Sequence, residues 1–121
     1  MVDEFYRKLA PNATYEDAVG VFLEEMAEAK EAALDVFGVC SPLCQCPDAT
    51  EARAHLAKEL ADLLFTARGI ARMAGIDLDD AFEIVATDNL TNKVLVESGK
   101  VRKKPNYFPP DLTYALTENR L

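Results

Sequence analysis

Two stretches of this chain carry apolar residues at helical spacing for many turns. From Thr14 to about Phe37, the residues Phe22, Met26, Ala29, Ala33 and Phe37 follow one another at steps of four and three. That spacing puts them on one helix face. From about residue 49 to 74, Leu56, Leu60, Leu63, Leu64, Ala67, Ile70 and Ala71 make a second stripe. At 1.5 Å rise per residue each helix spans roughly 35–40 Å. Two such rods bury their stripes by packing on one another. Ala18, Val21 and Ala32 widen the first stripe on one side, and Val19, Leu23 and Leu34 on the other. A stripe that broad calls for more than one neighbour.

Local signals bound these helices. Residues 3–9 read as a short helix broken by Pro11 and Asn12. Thr14 with Asp17 three residues on is a weak capping box, and Asp48 with Glu51 is another. Gly38 and Gly75 serve as stops. Asp77 caps a third helix over about 78–93, with Ala81, Phe82, Val85, Ala86 and Leu90 facing inward. Residues 94–112 contain Gly99, Pro105, Pro109 and Pro110, which predicts an extended tail or a hairpin. The fold class is therefore all-α: a bundle of two long antiparallel helices, a third helix, a short N-terminal helix and an extended C-terminal tail. With 121 residues the expectation is one domain, its helical core at about 3–93 and its basic, proline-containing tail at about 94–121. Stripes this wide leave a flank of a monomer exposed, so the bundle is expected to be completed by a homodimer or a dimer of dimers.

Charge excludes some partners. Asp and Glu outnumber Lys and Arg by 21 to 13, for a net charge of -8. This argues against a nucleic-acid polymer or an anionic membrane surface. A nucleotide stays open, because a bound metal reverses the local sign. No apolar run approaches the roughly 18 residues of a membrane span. The N-terminus, with Asp3 and Glu4, lacks an apolar signal core. Three cysteines fall together at Cys40, Cys44 and Cys46, an odd count in one loop rather than a disulfide framework. A reducing cytoplasm is the expected location.

The acids on the long helices carry the chemistry. Glu25 and Glu28 stand three apart on the first helix, and Glu59 and Asp62 three apart on the second. Each pair shares a helix face. At about 100° per residue, Glu25 and Glu28 lie about 60° and 120° from Phe22, and Glu59 and Asp62 lie at the same offsets from Leu56. The pairs thus border the core on matching sides, flanked by small residues such as Ala18, Ala29, Ala32, Ala52 and Thr66. Four carboxylates brought that close repel one another unless a cation sits among them. Mg²⁺ takes oxygen ligands of this kind. Acids opposite the stripe, as at Glu31, are ordinary solvated surface, and such a face is the competing reading of either pair alone. A di-iron centre needs Glu-x-x-His on two helices. The single histidine, His55, stands in no such motif.

These residues resemble the MazG-like nucleotide pyrophosphohydrolases of the all-α NTP pyrophosphatase superfamily, relatives of the dimeric dUTPases and of phosphoribosyl-ATP pyrophosphohydrolase. The resemblance rests on Glu24-Glu25-x-x-Glu28, then Glu59-x-x-Asp62, then Asn89 with Lys93. The tail from Gly99 to Leu112, with Pro105-Asn106-Tyr107-Phe108-Pro109-Pro110-Asp111-Leu112, is similar to one branch. Lys104 stands where that branch has glycine, and the loop Cys40–Cys46 is not a family feature. The resemblance implies hydrolysis of a (deoxy)nucleoside triphosphate to the monophosphate and pyrophosphate, with Mg²⁺ or Mn²⁺. It implies Glu25, Glu28, Glu59 and Asp62 as metal ligands and Glu24 as the group that orients or deprotonates the attacking water. Asn89 and Lys93 are then the substrate-binding pair, joined from the tail by Lys100, Lys103 and Tyr107. A specialised dUTP or phosphoribosyl-ATP pyrophosphohydrolase is the alternative within enzymes. A non-catalytic helical binding module is the alternative outside them.

Other residues have plainer readings. His55, four before Glu59, is expected at the surface, with contact to the site as the alternative. Cys-x-x-x-Cys-x-Cys lacks a fourth ligand for zinc. Phe65 and Phe82 are expected in the core, with base stacking as the lesser role.

Overall fold

The computed structural model describes residues 1–39, 46–91, 95–97 and 99–117. The chain forms two compact units, Met1–Ala74 and Gly75–Leu121.

The first unit holds α1 (Val2–Leu9), α2 (Tyr15–Val39) and α3 (Pro47–Met73). The capping box forms as the sequence predicts. The Asp17 N–H donates to the Thr14 hydroxyl oxygen at 3.1 Å, and the Thr14 N–H donates to the Asp17 carboxylate at 3.0 Å. The second box does not. Helix α3 begins two residues before the expected start, with Pro47 in its first turn and Cys46 at the N-cap, where its side chain makes no capping hydrogen bond. Proline suits that position because its fixed φ matches the helix and its missing N–H is not needed there. At the other end Gly75 takes φ 69°, as a helix stop requires.

Helices α2 and α3 pack together and run antiparallel: Glu25 meets Glu59 and Asp62, while Ala18 and Val21 lie further along with Phe65 and Thr66. The seam on α2 is made of small residues, Ala18, Ala29 and Ala32, with Val36. Met26 and Phe37, expected inward, are exposed, as are Leu23 and Leu34. Helix α3 thus covers one side of the broad stripe and leaves the other open. Leu60 and Leu64 of α3 are exposed in the same way.

Helix α1 docks on α3 through three aromatic rings. Phe5 meets Tyr6 and Phe65 edge-to-face at 5.4 and 5.2 Å, and Arg72 lies over the Tyr6 ring while bonding Asp3 at 2.7 Å. The Tyr6 hydroxyl rests against Gly69, where a Cβ would lie 2.9 Å from Cζ of the ring. Ala at this position would gain about 1 kcal/mol of helix propensity but overpack the ring at a cost of about 1–3 kcal/mol. Gly69→Ala is therefore expected to lower the Tm of the wild type yet raise it in a Tyr6→Leu background. A thermal melt of the two pairs checks this, and the same sign in both backgrounds would disprove the contact.

The second unit holds α4 (Leu78–Thr91), strands β1 (Leu95–Glu97) and β2 (Lys100–Arg102), and a 3₁₀ turn at Thr113–Ala115. Asp77 caps α4 as expected, accepting from the Asp80 N–H at 3.0 Å. The strands form the antiparallel hairpin that the glycine and proline pattern allowed, with Gly99 at φ 76° in its turn. The chain after Leu112 returns to the start of this unit. The Asp77 N–H donates to the Ala115 carbonyl at 2.8 Å, and the Thr117 N–H to the Gly75 carbonyl at 2.9 Å. Phe82, expected in the core, is 71% exposed, and Leu90 is 77% exposed. With strands of three residues each, the architecture is all-α. No described helix is long and apolar enough to cross a membrane.

Candidate metal and nucleotide site

The helical spacing brings three of the four paired acids together. Glu25 from α2 and Glu59 and Asp62 from α3 each offer a carboxylate oxygen within 4.8 Å of the others. They do more than border the core. Glu59 sits in the seam and is 5% exposed, and Glu25 is half-buried. Oε2 of Glu25 and Oε2 of Glu59 are buried and accept no hydrogen bond. A buried carboxylate oxygen without a donor is costly. Two of them on members of one acidic cluster fit a hard cation, which takes oxygen ligands in groups.

Glu28 is exposed, one turn from Glu25. Burial, and then the charge of Glu28, push the Glu25 carboxyl above its ordinary value, with smaller contributions from Asp62 and Glu59. Glu24 is exposed beside Glu25 on α2.

Two basic groups touch the cluster from α3. Nζ of Lys58 lies 2.8 Å from Oδ2 of Asp62 and 3.4 Å from Oε1 of Glu59. The bonds to Asp62 and Glu59 hold its ammonium well above the usual lysine value. Nε2 of His55 lies 3.2 Å from Oε1 of Glu59. His55 is thus both exposed, as expected, and in contact with the site. Lys58 was not anticipated, although its spacing of four from Asp62 is the signal that finds it.

A cavity of about 360 Å³ adjoins the acids, with Glu25 and Asp62 in its wall. Its apolar sides come from Phe5 and Tyr6 of α1, Val21 of α2 and Phe65 of α3. Phe65, expected in the core, is half-buried and lines this space.

The remaining candidates belong to the second unit. Asn89 is exposed on α4, and Lys93 lies outside the described residues. Lys100 and Lys103 are exposed, and Nζ of Lys103 stands 5.4 Å from the centre of the Tyr107 ring. The Tyr107 hydroxyl donates to the carboxylate of Asp88, which is buried on α4. That bond, with burial, raises the Tyr107 pKa and keeps its proton in place. Lys104 reaches the Thr91 carbonyl at 3.4 Å. Of the three cysteines only Cys46 is among the described residues, so the loop's metal-binding question lies outside them.

The profile of the phosphoribosyl-ATP pyrophosphohydrolase family matches residues 5–89, a stretch that holds every one of the paired acids. Searches of curated proteins and of solved structures give no match. By that match over most of its length, and by its two packed long helices, the chain belongs to the phosphoribosyl-ATP pyrophosphohydrolase family, within the all-α NTP pyrophosphatase, or MazG-like, superfamily.

Proposed function

We propose that this protein hydrolyses (deoxy)nucleoside triphosphates to the monophosphate and pyrophosphate, using Mg²⁺ held by Glu25, Glu59 and Asp62 with Glu28 as the fourth carboxylate. Mn²⁺ is the expected substitute. The observation that carries this reading is the pair of buried, unpartnered carboxylate oxygens within the α2–α3 seam, in a member of a pyrophosphohydrolase family. A divalent cation bound there supplies charge neutralisation at the phosphate oxygens.

The chain's own groups do the rest. Glu24 is exposed next to Glu25 and accepts the proton of the attacking water. Lys58 compensates the acids when no cation is bound, and the same ammonium is placed to meet a phosphate as a point charge. Asn89 and Lys93, with Lys100, Lys103 and Tyr107, are the proposed substrate contacts of the second unit. A homodimer or dimer of dimers, folding as one domain per chain, completes the proposal.

Phosphorus NMR of a reaction with Mg²⁺ tests the chemistry, with monophosphate and pyrophosphate as the expected products. Diphosphate with inorganic phosphate, or no turnover of any nucleotide, would refute it. A second reading, phosphoribosyl-ATP as substrate, is favoured by the description of the matched family.

A further inference from the structure

We propose that Lys58 is a tethered competitor for the acidic cluster: its ammonium holds Asp62 and Glu59 while no divalent cation is bound, weakens the binding of that cation, and passes to the phosphates of the nucleotide once displaced. The inference deepens the function proposed above and rests on it, because it takes the cluster as the place of both cation and phosphates.

Three observations carry it. The first is that the cluster already binds a cation of its own. Nζ of Lys58 lies 2.8 Å from Oδ2 of Asp62 and 3.4 Å from Oε1 of Glu59. Both acids belong to the group whose oxygens gather within 4.8 Å. An ammonium has three donors and no acceptor, so it engages the same lone pairs that a metal takes. A divalent cation on those carboxylates repels it, and the two therefore compete.

The second observation is that the lysine fills the cluster only in part. One ammonium does not match three carboxylates. Oε2 of Glu25 and Oε2 of Glu59 are buried and have no partner, while His55 shares Oε1 of Glu59 at 3.2 Å. Unsatisfied buried oxygens favour a cation of higher charge that engages more of them.

The third is that the lysine is free to leave and the acids are not. The Lys58 side chain is 64% exposed, whereas that of Glu59 is 6% exposed. An exposed pair at a spacing of four is weak, and the lysine stem is flexible. The ammonium can therefore swing out while Glu59 keeps its place in the seam. It stays attached one helical turn from Asp62, close to any phosphate brought to the cluster, and meets that phosphate as a point charge. Lys58 thus has opposite effects on two affinities. It weakens the hold on free cation and strengthens the hold on the nucleotide.

The test uses two variants of the whole chain. Lys58→Met keeps the length of the stem and removes the charge, and Lys58→Arg keeps the charge. Both residues are good helix formers, and circular dichroism checks that the helices stay formed. Calorimetric titration with Mn²⁺ alone reads the competition without turnover. We expect Lys58→Met to bind Mn²⁺ about three- to tenfold more tightly than the wild type, and Lys58→Arg to stay within about twofold of it. In EDTA the Tm of Lys58→Met should lie below that of the wild type, and saturating Mn²⁺ should close or reverse the gap. At saturating metal, KM for a deoxynucleoside triphosphate should rise about three- to tenfold in Lys58→Met and be restored in Lys58→Arg. Mn²⁺ affinity within about twofold of wild type in Lys58→Met would overturn the competition. Tighter Mn²⁺ binding with an unchanged KM would overturn the transfer to phosphate. Mn²⁺ binding to neither wild type nor variant would overturn the whole proposal. If Lys58→Met binds Mn²⁺ more tightly but the wild type hydrolyses no nucleotide, the proposed reaction fails and the competition stands.

Discussion

Glu59→Gln is expected to reduce pyrophosphate release by at least about a hundredfold while the helices stay formed. Replacing a group that only orients a metal ligand already costs about 10–100-fold. Glu59 is closer to the chemistry than that, since it is a member of the cluster and its buried Oε2 has no donor. An amide of the same shape offers one oxygen and turns an NH₂ toward any cation. Stability without metal should move the other way. The Glu25 carboxyl is raised above its ordinary value of 4.5, first by burial and then by Glu28. Between that value and the raised one, the folded state binds more protons than the unfolded state. Stability therefore falls as pH rises through this window and stays lowered above it. Glu25→Gln removes the penalty. In EDTA its Tm should exceed that of the wild type near neutral pH, and the gap should close as pH falls toward 4.5. Melts at stepped pH, run beside turnover assays, check both halves. Near wild-type turnover in Glu59→Gln, or a lower melt for Glu25→Gln at neutral pH, would remove these acids from the site.

The parts legible in the sequence were those set by neighbours along the chain. The Thr14–Asp17 box, the Asp77 cap and the Gly75 stop each depend on residues within three or four positions, and each formed as read. The juxtaposition of Glu25 with Glu59 and Asp62 was legible for a related reason. Matched offsets on two antiparallel helices leave few ways to pair them. What the sequence could not say is which side of a broad stripe a partner covers. Met26 and Ala29 are three apart on α2, yet α3 buries Ala29 and leaves Met26 open. Close approach through alanines decides this, and a stripe of eight or more apolar positions does not announce it. The cavity was illegible for a stronger reason. Its walls come from three helices, and Phe5 and Phe65 stand 60 residues apart in sequence. Lys58 is less legible, because a lysine four residues before an acid is also what an ordinary solvated helix face presents.

The uncovered half of the α2 stripe leads to the second large effect. Leu23, Met26, Leu34 and Phe37 are all exposed, Phe37 at 81%, and they fall on one side of α2 at about 100° per residue. Leu60 and Leu64 of α3 are open as well. Burying four side chains of this kind contributes about 6–12 kcal/mol at about 1.5–3 kcal/mol each. That is comparable to the roughly 4–15 kcal/mol lost when two bodies associate, so six or more such residues shift the balance toward assembly. The chain of 13.3 kDa is therefore expected to scatter light as a dimer or larger at micromolar concentration. Leu23→Lys combined with Leu64→Lys should dissociate it. Both side chains already face solvent in the single chain, so the substitutions cost the protomer little, whereas a charge buried at an interface without a partner is strongly unfavourable. The double variant should keep its helical circular dichroism and scatter as a monomer, and its Tm should lose the concentration dependence expected of an assembling wild type. A wild type that scatters as a 13.3 kDa monomer across that range would leave this face without a self-association role.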